Sequence, residues 1–299
     1  MRHSLNALTE ELKRLKASGV RSVSVDGVTL QRLQAVVGHY SSGAKVEQAD
    51  SADAFSPKAI PQPVQATSVT QSPIASIQTP PFSLPQGSKS DRMDALRKVV
   101  LEDEQCLANV RPGKRVVFGV GNLDAAIMFV GEAPGAEEEK LGEPFVGPAG
   151  QLLTKMISAM GLSRAEVYIG NIMNWRPQMP VDADGEQYGN RPPNAEEMNY
   201  CLPYLQAQIE IVSPKVVVAL GSTAAHGLLG ADAFKALGDV RGRWHEFAKY
   251  PMMVSYHPSY ILRNQSNRSK RMIWEDLLQV MERCDLPITE KQQGYFLSV

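Results

Sequence analysis

Four apolar runs, each leading into a turn or loop ahead of a helical stretch, restrict the fold of this chain more than any other feature. They are Ala126-Ile127-Met128-Phe129-Val130, Val167-Tyr168-Ile169, Lys215-Val216-Val217-Val218-Ala219-Leu220 and Pro251-Met252-Met253-Val254-Ser255-Tyr256. A strand with one wet face alternates apolar and polar residues, whereas near-continuous apolar runs belong to a sheet covered on both faces. Helical patterns occupy 149–160, 194–212 and 268–283, the second expected to bend at Pro203. The expected fold is α/β, with three layers (α/β/α) around a central, mainly parallel sheet of four strands.

Such sheets bind ligands at the carboxyl ends of their strands. Here those ends carry Glu132, Asn171, Gly221 and His257. Glu132 lies in Gly131-Glu132-Ala133-Pro134-Gly135, a loop that leaves an apolar strand directly and brings a carboxylate and the ring of Phe145 to one place. That combination suits a small planar ligand. Plainer readings stand beside each residue. Glu132 reads also as a turn cap, and Phe145, between Pro144 and Gly147, as a core aromatic. Asn171 reads as a loop tether, although its amide donor and acceptor suit a nucleobase edge. His257, stiffened by Pro258, reads as structural or catalytic.

Gly119-Val120-Gly121 lacks the third glycine of a dinucleotide loop, Asp124 standing in its place, and no phosphate loop is present, so a nucleotide cofactor is not expected. A formal charge of -1 offers no global basic surface. Locally, 264–271 carries Arg268, Lys270 and Arg271 with no acid, and follows Ser259-Tyr260-Ile261-Leu262-Arg263. This is either a solvated helix entrance or a DNA contact with cations for phosphates and an apolar wedge for the base stack, which Arg241 and Arg243 would extend. Cys106, Cys201 and Cys284 form no CxxC pair and are expected as free thiols. With no apolar run of membrane-spanning length and no leader-like start, a cytoplasmic location is expected.

Four regions follow from composition. Residues 1–40 form a small helical and hairpin segment, with Leu5, Leu8, Leu12 and Leu15 on one stripe and Asp26-Gly27 as a turn. Residues 41–90, with seven prolines among Ser, Gln, Ala and Thr, read as a disordered linker. Residues 91–286 form the folded domain. Residues 287–299 are a frayed tail, in which Gln292-Gln293-Gly294-Tyr295-Phe296-Leu297 faintly resembles a sliding-clamp-binding peptide.

Taken together, the motifs resemble the uracil-DNA glycosylase superfamily, most closely its family 4 enzymes. The resemblance covers about 102–283. It rests on the 131–153 block, Asn171 with Arg176-Pro177, Asn190-Arg191-Pro192-Pro193, Glu196 with Cys201-Leu202-Pro203-Tyr204-Leu205, Leu220-Gly221, and Tyr256-His257-Pro258-Ser259 with Leu262-Arg263. It implies hydrolysis of the N-glycosidic bond of deoxyuridine in DNA, after the base is flipped from the stack, leaving an abasic site. By the same resemblance Glu132 and His257 are catalytic: Glu132 positions water and favours the cationic sugar, and His257 stabilises charge on the uracil O2. Gly131, Ala133, Gly135, Glu138, Phe145 and Asn171 bind uracil, with Phe145 stacking, Asn171 reading the base edge and Glu138 excluding a thymine methyl. Ser259, Ile261, Leu262, Arg263, Arg268, Lys270 and Arg271 contact DNA, with Leu262 or Ile261 filling the vacated stack. Uracil-containing DNA is the expected partner of a nucleoid-associated monomer. A degenerate DNA-binding scaffold, or a glycosylase shifted towards hypoxanthine or xanthine, are the alternatives.

Family 4 enzymes hold a [4Fe–4S] cluster on four cysteines. Aligned on Leu107-Ala108 and Arg111, the first two ligand positions fall at Glu102 and Gln105 and the third at Trp175. Only Cys201 remains, and Cys106 lies one residue off. The expectation is no cluster and no metal, with Trp175 contributing packing instead.

Overall fold

The computed structural model describes residues 78–182 and 185–297; the expected 1–40 segment and most of the 41–90 linker lie outside the described residues. The chain enters the domain through helices α1 (Lys89–Glu102) and α2 (Glu104–Ala108). Then come strands β1 (Val120–Gly121) and β2 (Ile127–Gly131), helices α3 (Ala136–Leu141) and α4 (Pro148–Ala159), and strand β3 (Tyr168–Asn171). Helix α5 (Ala195–Val212), strand β4 (Val216–Leu220), helices α6 (Ser222–Leu229) and α7 (Leu237–Val240), and strands β5 (Trp244–Phe247) and β6 (Tyr250–Ser255) follow. The last helices are α8 (Pro258–Arg263), α9 (Asn267–Arg283) and α10 (Glu290–Gln293).

The four expected strands form the parallel centre β3-β2-β4-β6. The sheet nevertheless has six strands, because β1 pairs antiparallel with β3 at one edge and β5 antiparallel with β6 at the other. Gly121 explains how β1 reaches its place. Its φ is +135°, and a Cβ there would lie 2.1 Å from the Val167 carbonyl oxygen, so only glycine permits this approach.

Pleating divides each central strand between two cores. Met128, Val130, Val217, Ala219, Met252 and Val254 face a layer that includes Met93, Leu96 and Val100 of α1 and Tyr204, Leu205 and Ile209 of α5. Ile127, Phe129, Val216, Val218, Leu220 and Met253 face Leu153 and Ile157 of α4 and Ile273, Trp274, Leu277 and Val280 of α9. The i, i+3, i+4, i+7 spacings in α1, α4 and α9 put those residues on one stripe. Helix α5 runs through Pro203 without interruption, and Asn194 caps it by accepting from the Glu197 N–H.

Both ends of the domain reach further than composition suggests. Residues 78–90 belong with the fold rather than the linker: Phe82 and Leu84 pack on the core, Thr79 Oγ1 donates to the Tyr200 carbonyl at 2.6 Å, and Ser88 caps α1. The C-terminal segment is docked, not frayed. Trp274 Nε1 donates to the Gln292 carbonyl (2.6 Å), Gln292 Nε2 donates to the Ala159 carbonyl (2.9 Å), and Tyr295 packs against the Trp274 ring. Of the two glutamines in this segment, Gln292 is turned inward and Gln293 is exposed. No helix among the described residues is long and apolar enough to cross a membrane.

Candidate active site

The parallel register lines up the strand ends. Gly131 pairs with Asn171, Val130 with Ala219, and Leu220 with Ser255, so Asn171, Glu132, Gly221 and His257 emerge in one row. They open into a cleft of about 700 Å³ whose walls also include Gly135, Glu138, Phe145, Asn190, Arg191, Thr223, Ser259 and Arg263.

Asn171 is buried, and its Oδ1 has no hydrogen-bond partner among the described residues. A buried carbonyl oxygen left without a donor is costly to the free protein. Gly131 makes that position possible: a Cβ there would sit 2.4 Å from Asn171 Oδ1 and 2.5 Å from Phe145 Cζ. Phe145 has φ +55°, an unusual conformation for a bulky residue. Arg164 braces it by donating to the Pro144 carbonyl, and Gly150 admits the Phe145 backbone at a distance no Cβ would allow. The ring lies 5.6 Å from that of His257, tilted by 33°.

His257 caps α8, with Pro258 at the first helical position. The Ser259 main-chain N–H donates to Nδ1 at 3.2 Å, and Ser259 Oγ lies 2.9 Å from the same atom. Because Nδ1 accepts, the neutral ring carries its proton on Nε2 and offers an N–H donor. Burial, aided by the charge of Arg263, pulls its pKa from 6.5 down to about 4, so the ring is neutral at physiological pH. Burial pushes the half-buried Glu132 carboxyl above its ordinary value, and a hydrogen bond from Thr223 opposes that shift.

The other expected residues divide. Gly131 ends β2, and Ala133 and Gly135 lie in the loop that follows and line the cleft. Glu138 lines the cleft, but its carboxylate accepts from the N–H groups of Gly135 (3.1 Å), Val146 (3.0 Å) and Gly147 (2.9 Å), so it clamps the two loops that carry Glu132 and Phe145. Ile261 is corrected: it is buried in the α4–α9 core, while Leu262 on the opposite face of α8 is exposed. Arg271 is corrected as well, because it donates to Glu275 and to the carbonyls of Gln293 and Tyr295, tying down the C-terminal segment. Arg241 is committed to buried Asp276 (2.7 Å). Arg263 and Arg268 are exposed, whereas Lys270 is half-buried with its ammonium 5.9 Å from the Phe296 ring centre.

Thr223 was not identifiable from the sequence, although its place just after Leu220-Gly221 at a strand end was a usable signal. Asn190 and Arg191 had motifs but no role. They line the cleft because buried Arg176 donates to Asn190 Oδ1 (2.8 Å), while Arg191 is held by a two-pronged pair with Glu197.

At the positions where the resemblance puts cluster ligands, Glu102 is exposed, Gln105 is half-buried and Trp175 is fully buried against Tyr200. Cys106 is hydrogen-bonded to Cys201, and that contact with burial pushes its thiol far above the ordinary range. Beside them, the Tyr200 and Tyr204 hydroxyls donate to Asp103 Oδ2 at 2.8 and 2.9 Å. Among the described residues no group of three or more His, Cys, Asp or Glu side chains is arranged to hold a metal ion. Of the four positions that the resemblance assigns to cluster ligands, only Cys201 offers a thiol, which does not match a cluster held by four thiolates.

Residues 118–278 match the family model of the uracil DNA glycosylase superfamily. The chain is 43% identical over 163 residues to the type-4 uracil-DNA glycosylase of Thermotoga maritima, covering 54% of this chain and 79% of that protein. It is 36% identical over 217 residues to the type-4 enzyme of Sulfurisphaera tokodaii, covering 69% and 91%. To the type-5 uracil-DNA glycosylase of Pyrobaculum aerophilum it is 30% identical over 179 residues, covering 55% and 73%. With the family model matched over more than half its length and these strand-end residues gathered around one cleft, the chain belongs to the uracil-DNA glycosylase superfamily.

Proposed function

We propose that the protein hydrolyses the N-glycosidic bond of deoxyuridine in DNA, releasing uracil and leaving an abasic site. The observation that carries this reading is the buried Asn171 amide, its Oδ1 unpaired among the described residues, on a residue that lines one cleft with Phe145 and His257. Uracil supplies what that pocket lacks: a flat ring for Phe145 and an N3–H for Asn171. As the bond to C1′ breaks, negative charge moves onto uracil and the sugar becomes cationic. The Nε2–H of neutral His257 donates to the uracil O2 as that charge grows, and the Glu132 carboxylate steadies the sugar and orients the attacking water. Glu138 fixes the loops against the base and narrows the space at C5. Leu262, exposed on α8, fills the gap left by the flipped base, and Arg263 and Arg268 meet phosphates.

Identities of 36–43% to type-4 enzymes support a type-4 scaffold, here working without an iron–sulfur cluster. Iron and sulfide assays of the purified protein are expected to find far less than one cluster per chain, and near-stoichiometric iron would refute this. Clamp binding forms no part of the proposal, because Gln292 is used within the fold.

The direct test is incubation with oligonucleotides carrying one uracil, hypoxanthine or xanthine, followed by alkali. Strand breaks are expected at uracil; none on any substrate would overturn the proposal. The pH profile tests the roles. With His257 neutral down to about pH 4, kcat/KM should show no inflection near 6.5. The acid limb should instead follow Glu132, whose raised pKa means that activity is present above it and lost as pH falls through it. Glu132→Gln should remove that limb along with most of the rate. A limb at 6.5 that persists in the Gln variant would reassign it.

A further inference from the structure

We propose that Tyr188 forms a second base-binding subsite, stacking on an unpaired nucleobase beside the flipped nucleotide; this rests on the glycosylase reading above. Tyr188 is the most exposed large apolar side chain among the described residues, at 72%. A ring left in water on a loose loop has little consequence, but this loop is not loose. Arg176 Nη2 donates to the carbonyls of both neighbours, Gln187 (3.3 Å) and Gly189 (2.7 Å). The buried Gln187 side chain donates to the Pro177 carbonyl (3.1 Å) and accepts from the Met179 N–H (3.1 Å). The backbone is pinned on each side of Tyr188 while its ring is left outside.

The mount sits at the cleft. Asn190, two residues on, and Arg191, three on, line the cleft, as do Ser259 and Arg263. A strand that enters the cleft past Asn190 and Arg191 leads its next nucleotide over this rim. In a single strand that neighbour is unpaired, and an aromatic ring can stack on its exposed face whatever the base identity, because every base has a π-face. Arg263, exposed and lining the cleft, adds charge for the intervening phosphate. In a duplex the neighbour stays paired and Leu262 fills the vacated space, so the subsite favours single-stranded or locally opened substrate.

The test is steady-state uracil release from single-stranded oligonucleotides by the full chain and by Tyr188→Ala and Tyr188→Phe. Tyr188→Ala should raise KM about tenfold with kcat little changed, and Tyr188→Phe should restore the wild-type KM because the ring does the stacking. A wild-type KM in the Ala variant, or a Phe variant as weak as Ala, would overturn the proposal. Oligonucleotides lacking the base 5′ or 3′ to the deoxyuridine close a double-mutant cycle. On one of them the wild type should lose what Tyr188→Ala loses, with no further loss when both changes are combined; fully additive losses on both would refute stacking. Fluorescence anisotropy with a labelled single-stranded oligonucleotide containing an abasic-site analogue reads affinity without chemistry. If the wild type binds it but releases no uracil, the glycosylase reading falls, while the affinity ratio of wild type to Tyr188→Ala still decides the subsite.

Discussion

Asn171→Ala should lower single-turnover uracil release by about 10²–10³-fold, the loss expected when one buried hydrogen-bonding group aimed at the reacting ligand is removed. The same substitution should leave the thermal midpoint unchanged or slightly raised. Asn171 Oδ1 is buried without a partner among the described residues, so its removal relieves an unsatisfied polar atom at the expense of a small void. Most core substitutions lower activity and stability together. Here the two should separate, which identifies a group kept for its ligand and not for the fold. Rates within a few-fold of wild type would remove Asn171 from the site.

Trp175→Ala should cost about 3–5 kcal/mol of stability, the range for truncating a fully buried tryptophan. Trp175 is 1% exposed and lies 6.1 Å, ring to ring, from Tyr200. For a folded region of this size the midpoint should fall by roughly 10 °C, measured by circular dichroism. Trp175→Phe should cost much less, because it keeps an aromatic body and deletes an indole N–H that has no partner. A midpoint change of only a degree or two in the Ala variant would show that Trp175 is not a mainstay of this core. The comparison bears on how the scaffold holds together where the family resemblance puts a cysteine ligand.

The central fold was legible because all four parallel strands are buried on both faces, which leaves a continuous apolar run in the sequence. Neither edge strand writes such a signal. Val120–Gly121 is two residues long, and Trp244–Phe247 includes His245 and Glu246 and is only half-buried. The β5–β6 hairpin turns through Ala248 (φ +48°) and Lys249 (φ +70°), a two-residue turn without the Asn-Gly or Gly-Gly pair that usually announces one. Within the site, the strand-end residues were legible because topology brings strand ends together whatever the surrounding detail. Glu138 lines the cleft, yet its acceptance from Val146 and Gly147 depends on a loop eight and nine residues away. The choice between Ile261 and Leu262 depends on which face α8 turns to α4, and Arg271 depends on a C-terminal segment more than twenty residues distant. Neither long-range contact leaves a local mark.

The pair of Arg176 and Glu139, with side chains 3% and 8% exposed, joins the helix bearing Glu138 to the loop bearing Asn190. Neither residue can drift alone, because losing one strands the other as a buried charge at a cost of about 3–5 kcal/mol. An apolar replacement of both would still leave the other acceptors of Arg176 unmet. Sequence change in this loop is thereby channelled outward, to positions such as Val181 and Tyr188 whose side chains face water. A lineage carrying this pair can alter what the rim of the cleft touches while its interior geometry is inherited intact.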